Sequence, residues 1–345
     1  MECVKDARFS FIINGKASRW ITAANGFRQG CPFSPYLYIL CSQLFSLAMA
    51  QDGQDLGIQI SKRSQNISHL LYADDVLIFS HATKNLANKL RSIVTNFCNW
   101  TSLKVNNAKS QIIFSKSMER TEKSQVNRIL NFRTVNELQY LGVQLLLRKP
   151  MRADFQFLID NVLHKLNSWG GKCLSLAGKL LLVKASLLSL PNFSSTHNMV
   201  PKKVLLEIDK CCRDFIWNKR NGKKEIHYVA WNTLCKSTDK GGRNLHSVVD
   251  RAGPLKARLT WRMIQEPESL LSRVVTTKNG NDVWNIKNKR NTSVAGKVLT
   301  EGARYLKPLL RWRIANGRSI DVVNDVWLLD KSFSEWPIMA DCLGL

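Results

Sequence analysis

The chain has 345 residues, 44% of them hydrophobic, which is ample for a buried core and points to two or three domains without internal repeats or low-complexity tracts. Lysine and arginine number 51 against 26 acidic residues, a net charge of +25 that folding does not require and that a polyanionic partner explains. Nine cysteines without any Cys-x-x-Cys spacing give no sign of a disulfide framework or a zinc ribbon, and with no signal peptide they point to a reducing intracellular setting.

The charge is unevenly placed. Residues 1–80 hold seven basic and six acidic side chains, whereas residues 151–300 hold 26 basic and 11 acidic. The first part is nearly neutral, and the second is suited to gripping phosphates with little sequence preference. A solvated, lysine-rich helical surface is the plainer alternative.

In chain order, the apolar run Phe9 to Ile13 ends in Asn14-Gly15, the pair suited to the positive φ angles of a type I′ turn, so a hairpin is expected first. After the Pro32 to Pro35 segment, Tyr36 to Ala50 has few breakers and apolar residues on every side, as for a helix buried under a sheet. Next come Leu70-Leu71, Tyr72-Ala73-Asp74-Asp75 and Val76 to Phe79, which read as a buried hairpin whose polar part is its tip. Two adjacent carboxylates repel each other, so they persist most readily where a cation such as Mg²⁺ absorbs the charge. An Asp-Asp turn with both side chains in water is the other reading.

A helix from about Lys84 to Cys98 and a strand near Gln111 to Phe114 follow, giving the strand and helix alternation of an α+β fold. From about residue 151 the period becomes helical. Leu174 to Leu190 is apolar but interrupted by Lys179 and Lys184, which argues against a membrane span; Pro191 is expected to end that helix. Lys172, Ser175, Lys179 and Ser186 would form one stripe of it.

A helix entered at Pro201 gathers Val204, Ile208, Cys211 and Phe215 on one face, with Leu205, Cys212 and Ile216 beside it. Lys202, Lys203, Lys210 and Arg213 then point outward. Cys211-Cys212 reads as core packing rather than metal binding. Residues 220–243 suggest a loop or short hairpin, with Trp217 and Trp231 open to two readings, core packing or a nucleic-acid surface. Thr276 to Lys297 reads as a linker, and Asn316-Gly317 marks a last hairpin.

Several segments carry a resemblance. Asn25-Gly26-Phe27-Arg28-Gln29-Gly30-Cys31-Pro32-Phe33-Ser34-Pro35, the Tyr72 to Asp75 turn, Leu103-Lys104-Val105-Asn106 with Lys109-Ser110, and Tyr140-Leu141-Gly142-Val143 resemble, in order, the palm motifs of reverse transcriptases of plant LINE-type (non-LTR) retrotransposons. Trp169, Leu174 to Lys179, Phe215-Ile216-Trp217, Val229-Ala230-Trp231, Cys235 and Gly241-Gly242 are spaced like the region after the palm. Trp312 to Ile320 and Asp325-Val326-Trp327-Leu328 echo the stretch beyond. A viral RNA-dependent RNA polymerase would share the acidic turn, but Gln29-Gly30-Cys31-Pro32 with Ser34-Pro35 favours reverse transcription.

The resemblance implies an α+β partial palm over residues 1–150, a basic, mainly helical thumb-like domain over 151–275, and a linker with a small C-terminal hairpin segment over 276–345. It implies an RNA template and a DNA primer as partners, with no membrane, and Mg²⁺ or Mn²⁺ as cofactor without a zinc site. Asp74 would be the metal ligand and Asp75 a secondary one. Lys109 stands where relatives neutralise the departing pyrophosphate, or is a plain surface lysine. Arg28 and Gln29 would contact the template or nascent base pair, with Gly30 allowing close approach. Tyr72 and Ala73 would lie under the primer end, Tyr140 and Gly142 on the primer-contacting strand pair, and Lys202, Lys203, Lys210 and Arg213 along the nucleic acid.

The family uses a third carboxylate, on a strand expected upstream of Asn14-Gly15 together with the fingers. Glu2 and Asp6 fall where the family has a helix end and loop, and Asp52 and Asp55 read as loop residues, so little polymerase activity is expected from these residues alone. Thr101-Ser102-Leu103 stands where Ser-Gly-Leu is usual, and Arg243-Asn244-Leu245 where Leu-Gly-Ile is usual. The competing readings are a non-catalytic nucleic-acid-binding module with a vestigial acidic turn, and a decayed reading frame with no selected function.

Overall fold

The structure, a computed structural model, describes residues 8–23, 26–28, 30–62, 64–170, 174–217, 226–280, 283–284, 292–311, 320–327 and 331–336. Glu2, Asp6, Gln29, Lys172 and the Asn316-Gly317 hairpin therefore lie outside the described residues. The chain divides into two compact units, Met1–Lys149 and Pro150–Leu345.

The first unit starts with β1 (Arg8–Phe9), β2 (Ile12–Ile13), β3 (Lys16–Ala17) and β4 (Ile21–Thr22), with β1 paired antiparallel to β4 and β2 to β3. Asn14 and Gly15 take φ of 50° and 77°, the pair of positive angles expected of the Asn-Gly turn. Helix α1 (Ser34–Gln51) begins at Ser34-Pro35, where the missing proline N–H costs nothing. β5 (Ile58–Gln59) and β6 (Asn66–Ile67) form a short ladder, and β7 (His69–Tyr72) and β8 (Asp75–Ile78) form the acidic hairpin. Then follow α2 (Lys84–Thr101), β9 (Gln111–Ile112), α3 (Arg120–Leu130) and β10 (Arg133–Thr134), the last pairing parallel to β9. β11 (Glu137–Tyr140) and β12 (Val143–Leu146) close the unit as a hairpin whose turn, Leu141-Gly142, has φ of 48° and 77°.

The core of this unit is Phe45, Ala48, Met49, Leu56, Leu90 and Ile93, with Leu71 and Ile78 of the hairpin packed against it. Each of the larger side chains among them contributes about 2 kcal/mol on leaving water. Two expectations need correction here. Helix α1 is buried on one face only, since Tyr36, Ile39, Leu40, Leu44 and Leu47 are exposed. Likewise β7 and β8 are half-buried near their outer ends and exposed from Tyr72 to Val76, because one face packs on α1 and α2 while the tip extends beyond them.

In the second unit α4 (Gln156–Gly170), α5 (Leu176–Ala185), α6 (Asn192–His197), α7 (Lys202–Trp217), α8 (Trp231–Leu234) and α9 (Val248–Gln265) are followed by α10 (Leu270–Asn279) and α11 (Val294–Leu306). The main core gathers Phe155, Ile159, Val162, Val183, Leu187, Val204, Ile208, Cys212 and Ile216. Leu176–His197 is long and apolar enough to cross a membrane by length and composition, yet it is broken into α5, a 3-10 turn at Leu187–Ser189, and α6. Val183, Leu187 and Leu188 of that segment are wholly buried in the helical core. The expected helix thus ends at Ala185, and Pro191 starts a new helix instead of ending an old one, since a proline without N–H fits a helix start.

The linker expected at Thr276 to Lys297 is helical at both ends, with Thr276 in α10 and Lys297 in α11. Helix α11 runs against α9 at close range. A Cβ on Gly302 would sit 2.4 Å from the Lys256 carbonyl oxygen, and one on Gly253 would sit 2.1 Å from the Tyr305 ring. Across this seam the buried Lys256 ammonium donates to Glu301 at 2.7 Å. Trp231 is buried and Trp217 packs against the core, so both belong with the packing reading. Burial pushes the Cys235 thiol up to about 12 and holds Cys212 far above the ordinary thiol range, as expected of core cysteines.

One contact is not legible in the sequence. Asp209, buried on α7, accepts from Ser247 Oγ at 2.7 Å and from the Val248 backbone N–H at 2.9 Å. It thereby satisfies the N-terminal end of α9, where a carboxylate is also favoured by the helix dipole.

Candidate active site

The acidic turn is shaped by its register. Pairing runs His69 with Ile78, Leu70 with Leu77, Leu71 with Val76 and Tyr72 with Asp75, which leaves Ala73-Asp74 as a two-residue loop. Ala73 takes φ of 49°, an uncommon angle for a residue with a Cβ, and the tight return places Asp74 at the exposed tip. Strand alternation puts Asp75 and Tyr72 on the opposite face from Leu71 and Ile78, which pack on the core. The two carboxylates therefore project from an anchored strand pair, not from a loose loop.

What anchors the tip comes from the segment upstream. Tyr38 of α1 donates its hydroxyl hydrogen bond to the Ala73 carbonyl at 3.0 Å. Phe27 meets the Tyr38 ring edge-on, with centroids 6.2 Å apart. Phe27 and the acidic turn, well separated in sequence, are thus linked through Tyr38. At the base of the hairpin His69 is held by Ser46 Oγ at 3.1 Å and Ser68 Oγ at 2.9 Å. Burial lowers the His69 imidazole below its ordinary range, so it stays neutral near pH 7.

The electrostatics report on the same neighbourhood. Burial raises the Tyr38 phenol, and the charges of Asp74, Cys41 and Asp75 add to it. Burial also raises the Tyr140 phenol, with the Asp75 charge a smaller influence. The Cys31 thiol is lowered by hydrogen bonds from the Phe33 backbone foremost, with the Arg28 charge a smaller influence.

Of the residues singled out in the sequence, Asp74, Asp75, Tyr72 and Ala73 come together in one hairpin, while Tyr140 pairs with Val143 in the β11 and β12 hairpin and senses the Asp75 charge. Gly142 forms the adjacent turn. Arg28 and Gly30 precede α1: the Arg28 carbonyl accepts from Ser34 Oγ, and Gly30 takes φ of 81°, the left-handed region that favours glycine. Lys109 is exposed before β9, and among the described residues no hydrogen bond or ion pair joins it to the carboxylates. Lys202, Lys203 and Lys210 are exposed on α7, whereas Arg213, expected to point outward, is half-buried 3.9 Å from Asp214. Its position one turn past Lys210 brings it to the flank of the buried stripe, which the hydrophobic pattern alone does not resolve. Asp52 follows the end of α1, and Asp55 pairs with Lys89 at 2.7 Å.

Asp74 and Asp75 supply hard carboxylate oxygens on exposed backbone, a donor set that fits Mg²⁺ or Mn²⁺ shared with substrate phosphates. Among the described residues no cluster of three or more His, Cys, Asp or Glu side chains gathers to hold an ion without such help. Sequence reasoning missed Tyr38 and His69. No spacing signal marks Tyr38, because its partner lies 35 positions away.

Comparison with known proteins bears on this arrangement. Residues 2–145 match the family described as reverse transcriptase (RNA-dependent DNA polymerase). A protein of Arabidopsis thaliana named for ribonuclease H is 32% identical over 133 residues, covering 38% of this chain and 22% of that protein. Two uncharacterized mitochondrial proteins of the same plant are also similar. One is 48% identical over 68 residues, 19% of this chain and 56% of its own length. The other is 25% identical over 148 residues, 42% of this chain and 96% of its own length. The chain thus spans about a fifth of the first relative and about half of the second. With the acidic hairpin, its tyrosine anchor and the upstream glycine turn all inside the matched segment, residues 2–145 belong to the reverse transcriptase family, with relatives in plants.

Proposed function

We propose that this chain is part of an RNA-directed DNA polymerase of a plant LINE-type retroelement, with Asp74 as the metal-ligating carboxylate and Asp75 supporting it. The observation that carries this reading is the exposed Asp74 at a rigid two-residue turn, anchored by Tyr38 within the family match. When bound there, Mg²⁺ or Mn²⁺ supplies charge neutralisation for phosphoryl transfer. Asp74 and Asp75 hold and orient; Tyr72 and Ala73 lie beneath a primer end; Tyr140 and Gly142 flank it; and Arg28, Gln29 and Gly30 face the template. Lys109 serves the leaving group. The palm occupies residues 1–150, a thumb-like basic domain 151–275 with Lys202, Lys203, Lys210 and Arg213 toward nucleic acid, and a further segment 276–345.

With two carboxylates gathered at the tip, nucleotide addition by these 345 residues alone is expected to be weak or absent, because in-line displacement between two ions needs further acidic ligands. Primer extension on an RNA template with Mg²⁺ or Mn²⁺ tests both parts. Robust extension that Asp74→Ala abolishes would support the ligand assignment and overturn the expected weakness; extension unchanged in Asp74→Ala would sink the assignment itself. A second reading, a nucleic-acid-binding remnant with a vestigial turn, is favoured by Ser102 and Asn244, which hold φ of 59° and 52° at positions where the resemblance implies glycine. RNA binding that falls steeply with salt, together with no extension under any condition, would favour it.

A further inference from the structure

We infer that the first unit takes up one extended strand of another polypeptide, in a cavity shared by the open edges of β8 and β9. The cavity holds about 680 Å³ and is lined by Val76 and Ile78 of β8 and by Gln111 of β9.

Hydrogen bonds identify the two edges. In the β7 and β8 ladder the Phe79 N–H donates to the Ser68 carbonyl at 2.8 Å, and antiparallel pairs alternate between bonded and non-bonded. Asp75 and Leu77 therefore direct their backbone groups to β7, whereas those of Val76 and Ile78 point to the other edge. Next to β9, the Arg133 N–H donates to the Ser110 carbonyl at 3.3 Å and the Val135 N–H to the Ile112 carbonyl at 2.9 Å. The parallel ladder to β10 thus uses Ser110 and Ile112, and the N–H and C=O of Gln111 face away from it. Each of these sheets has two strands, and among the described residues no backbone group pairs with either open edge. The residues that carry the unpaired donors and acceptors are the ones that line the cavity.

These edges choose the occupant. A strand sits about 4.8 Å from each neighbour and presents N–H and C=O groups on both sides, so one extended backbone satisfies β8 and β9 together. Sheets guard an open edge with lysine, proline or a bulge, and β8 carries none of these across Val76-Leu77-Ile78. Leu90 and Val94 of α2 line the same cavity and belong to the core or pack against it, which calls for apolar side chains at alternate positions of the incoming strand. Arg91 and Arg128 also line it, whereas among the described residues no carboxylate does. Arg91 donates to the Ile129 carbonyl at 3.3 Å, an uncharged partner, so the cavity keeps a positive sign and favours acidic residues between the apolar ones. A helix or a nucleic acid has no such alternating row of backbone groups. A strand already paired in its own sheet can satisfy one edge but not both, which disfavours the hairpins of a second copy. The site uses neither Asp74 nor a metal ion, and it stands apart from the polymerase reading.

The test uses the full chain and a fluorescein-labelled octapeptide of alternating valine and glutamate, followed by fluorescence anisotropy. Saturable binding is expected, and lysine in place of glutamate should weaken it about tenfold. N-methylating the peptide backbone at either set of alternate residues should abolish binding, since each set faces one of the two edges. Val76→Pro and Gln111→Pro each remove an edge N–H that no ladder uses, so each should weaken binding at least about tenfold while the circular dichroism stays that of the parent. Absence of binding at about 1 mM peptide, tolerance of either N-methylated set, or unchanged affinity in a folded proline variant would overturn the site. The N-methylated peptides keep the test decisive should a proline variant not fold. Asp74→Ala should bind the peptide as the parent does, so failure of the polymerase reading and failure of this site give different results.

Discussion

Ser102 offers a direct test of how much a lost glycine costs in this fold. It follows the last turn of α2 with φ of 59° and ψ of 9°, the left-handed conformation in which helices commonly end on glycine. There an L-residue bears about 1–2 kcal/mol of crowding between its Cβ and the backbone. Replacing it with glycine removes that crowding but restores about 0.5–1 kcal/mol of unfolded-chain freedom. Ser102 is exposed and its side chain is not holding the helix end, so no contact is lost in exchange. The net expectation for Ser102→Gly is a gain of about 0.5–1 kcal/mol, or about 2 °C in the melting of a unit the size of Met1–Lys149. Urea unfolding of the full chain, followed by far-ultraviolet circular dichroism, would measure it, with Ser102→Ala as the control. Alanine keeps the Cβ and should stay within about 0.5 kcal/mol of the parent. A glycine variant no more stable than the parent, or an alanine variant equally stabilised, would refute the reasoning.

Other expectations follow from the same structure. Asn244→Gly, at φ of 52°, should gain no more than about 0.5 kcal/mol, because asparagine tolerates the left-handed region better than serine does, and a larger gain in the same urea assay would contradict this. Gly302→Ala should cost about 2 kcal/mol or more, since its Cβ would meet the Lys256 backbone and separate α9 from α11; a melt within about 1 °C of the parent would disprove so tight a seam. Asp209→Ala should cost about 1–3 kcal/mol by leaving Ser247 and the Val248 N–H unpaired in the core, whereas Asp209→Asn, which keeps an acceptor, should cost less. Burial is the main cause that raises the Asp209 carboxyl above its ordinary value, so the folded state binds that proton more tightly than the unfolded chain does. Its contribution is fully present below the unfolded value and is lost as pH rises through the raised folded value. The stability of the parent relative to Asp209→Asn should therefore decline as pH rises from about 4 and then level off; a difference that grows with pH would contradict the assignment.

The elements that local chemistry controls are legible in the order of the residues. Asn14-Gly15 needs only its own positive φ angles to make a turn, and the tip at Ala73-Asp74 needs only two apolar runs to bring its flanks together. The buried face of α7 is written in its period: Val204, Leu205, Ile208, Cys212 and Ile216 repeat at helical spacing and all are buried. The two positions read as lost glycines both hold left-handed angles, because a helix end or tight turn fixes φ whatever residue occupies it.

What the sequence could not supply is contact between distant positions. Whether the apolar residues of α1 would all be covered depended on how many elements packed around it, and only Phe45, Ala48 and Met49 are enclosed. The hydroxyl of Tyr38 reaching Ala73, the Asp209 carboxylate capping α9, and the cavity shared by β8 and β9 join residues whose partners no local pattern predicts. By itself the sequence determined the turns, the helical faces, the uneven charge and the pair of carboxylates, since each follows from neighbours a few residues away. Tertiary structure alone decided what anchors those carboxylates and which strand edges stay open, because close packing matches the shapes of side chains that the chain brings together only when folded.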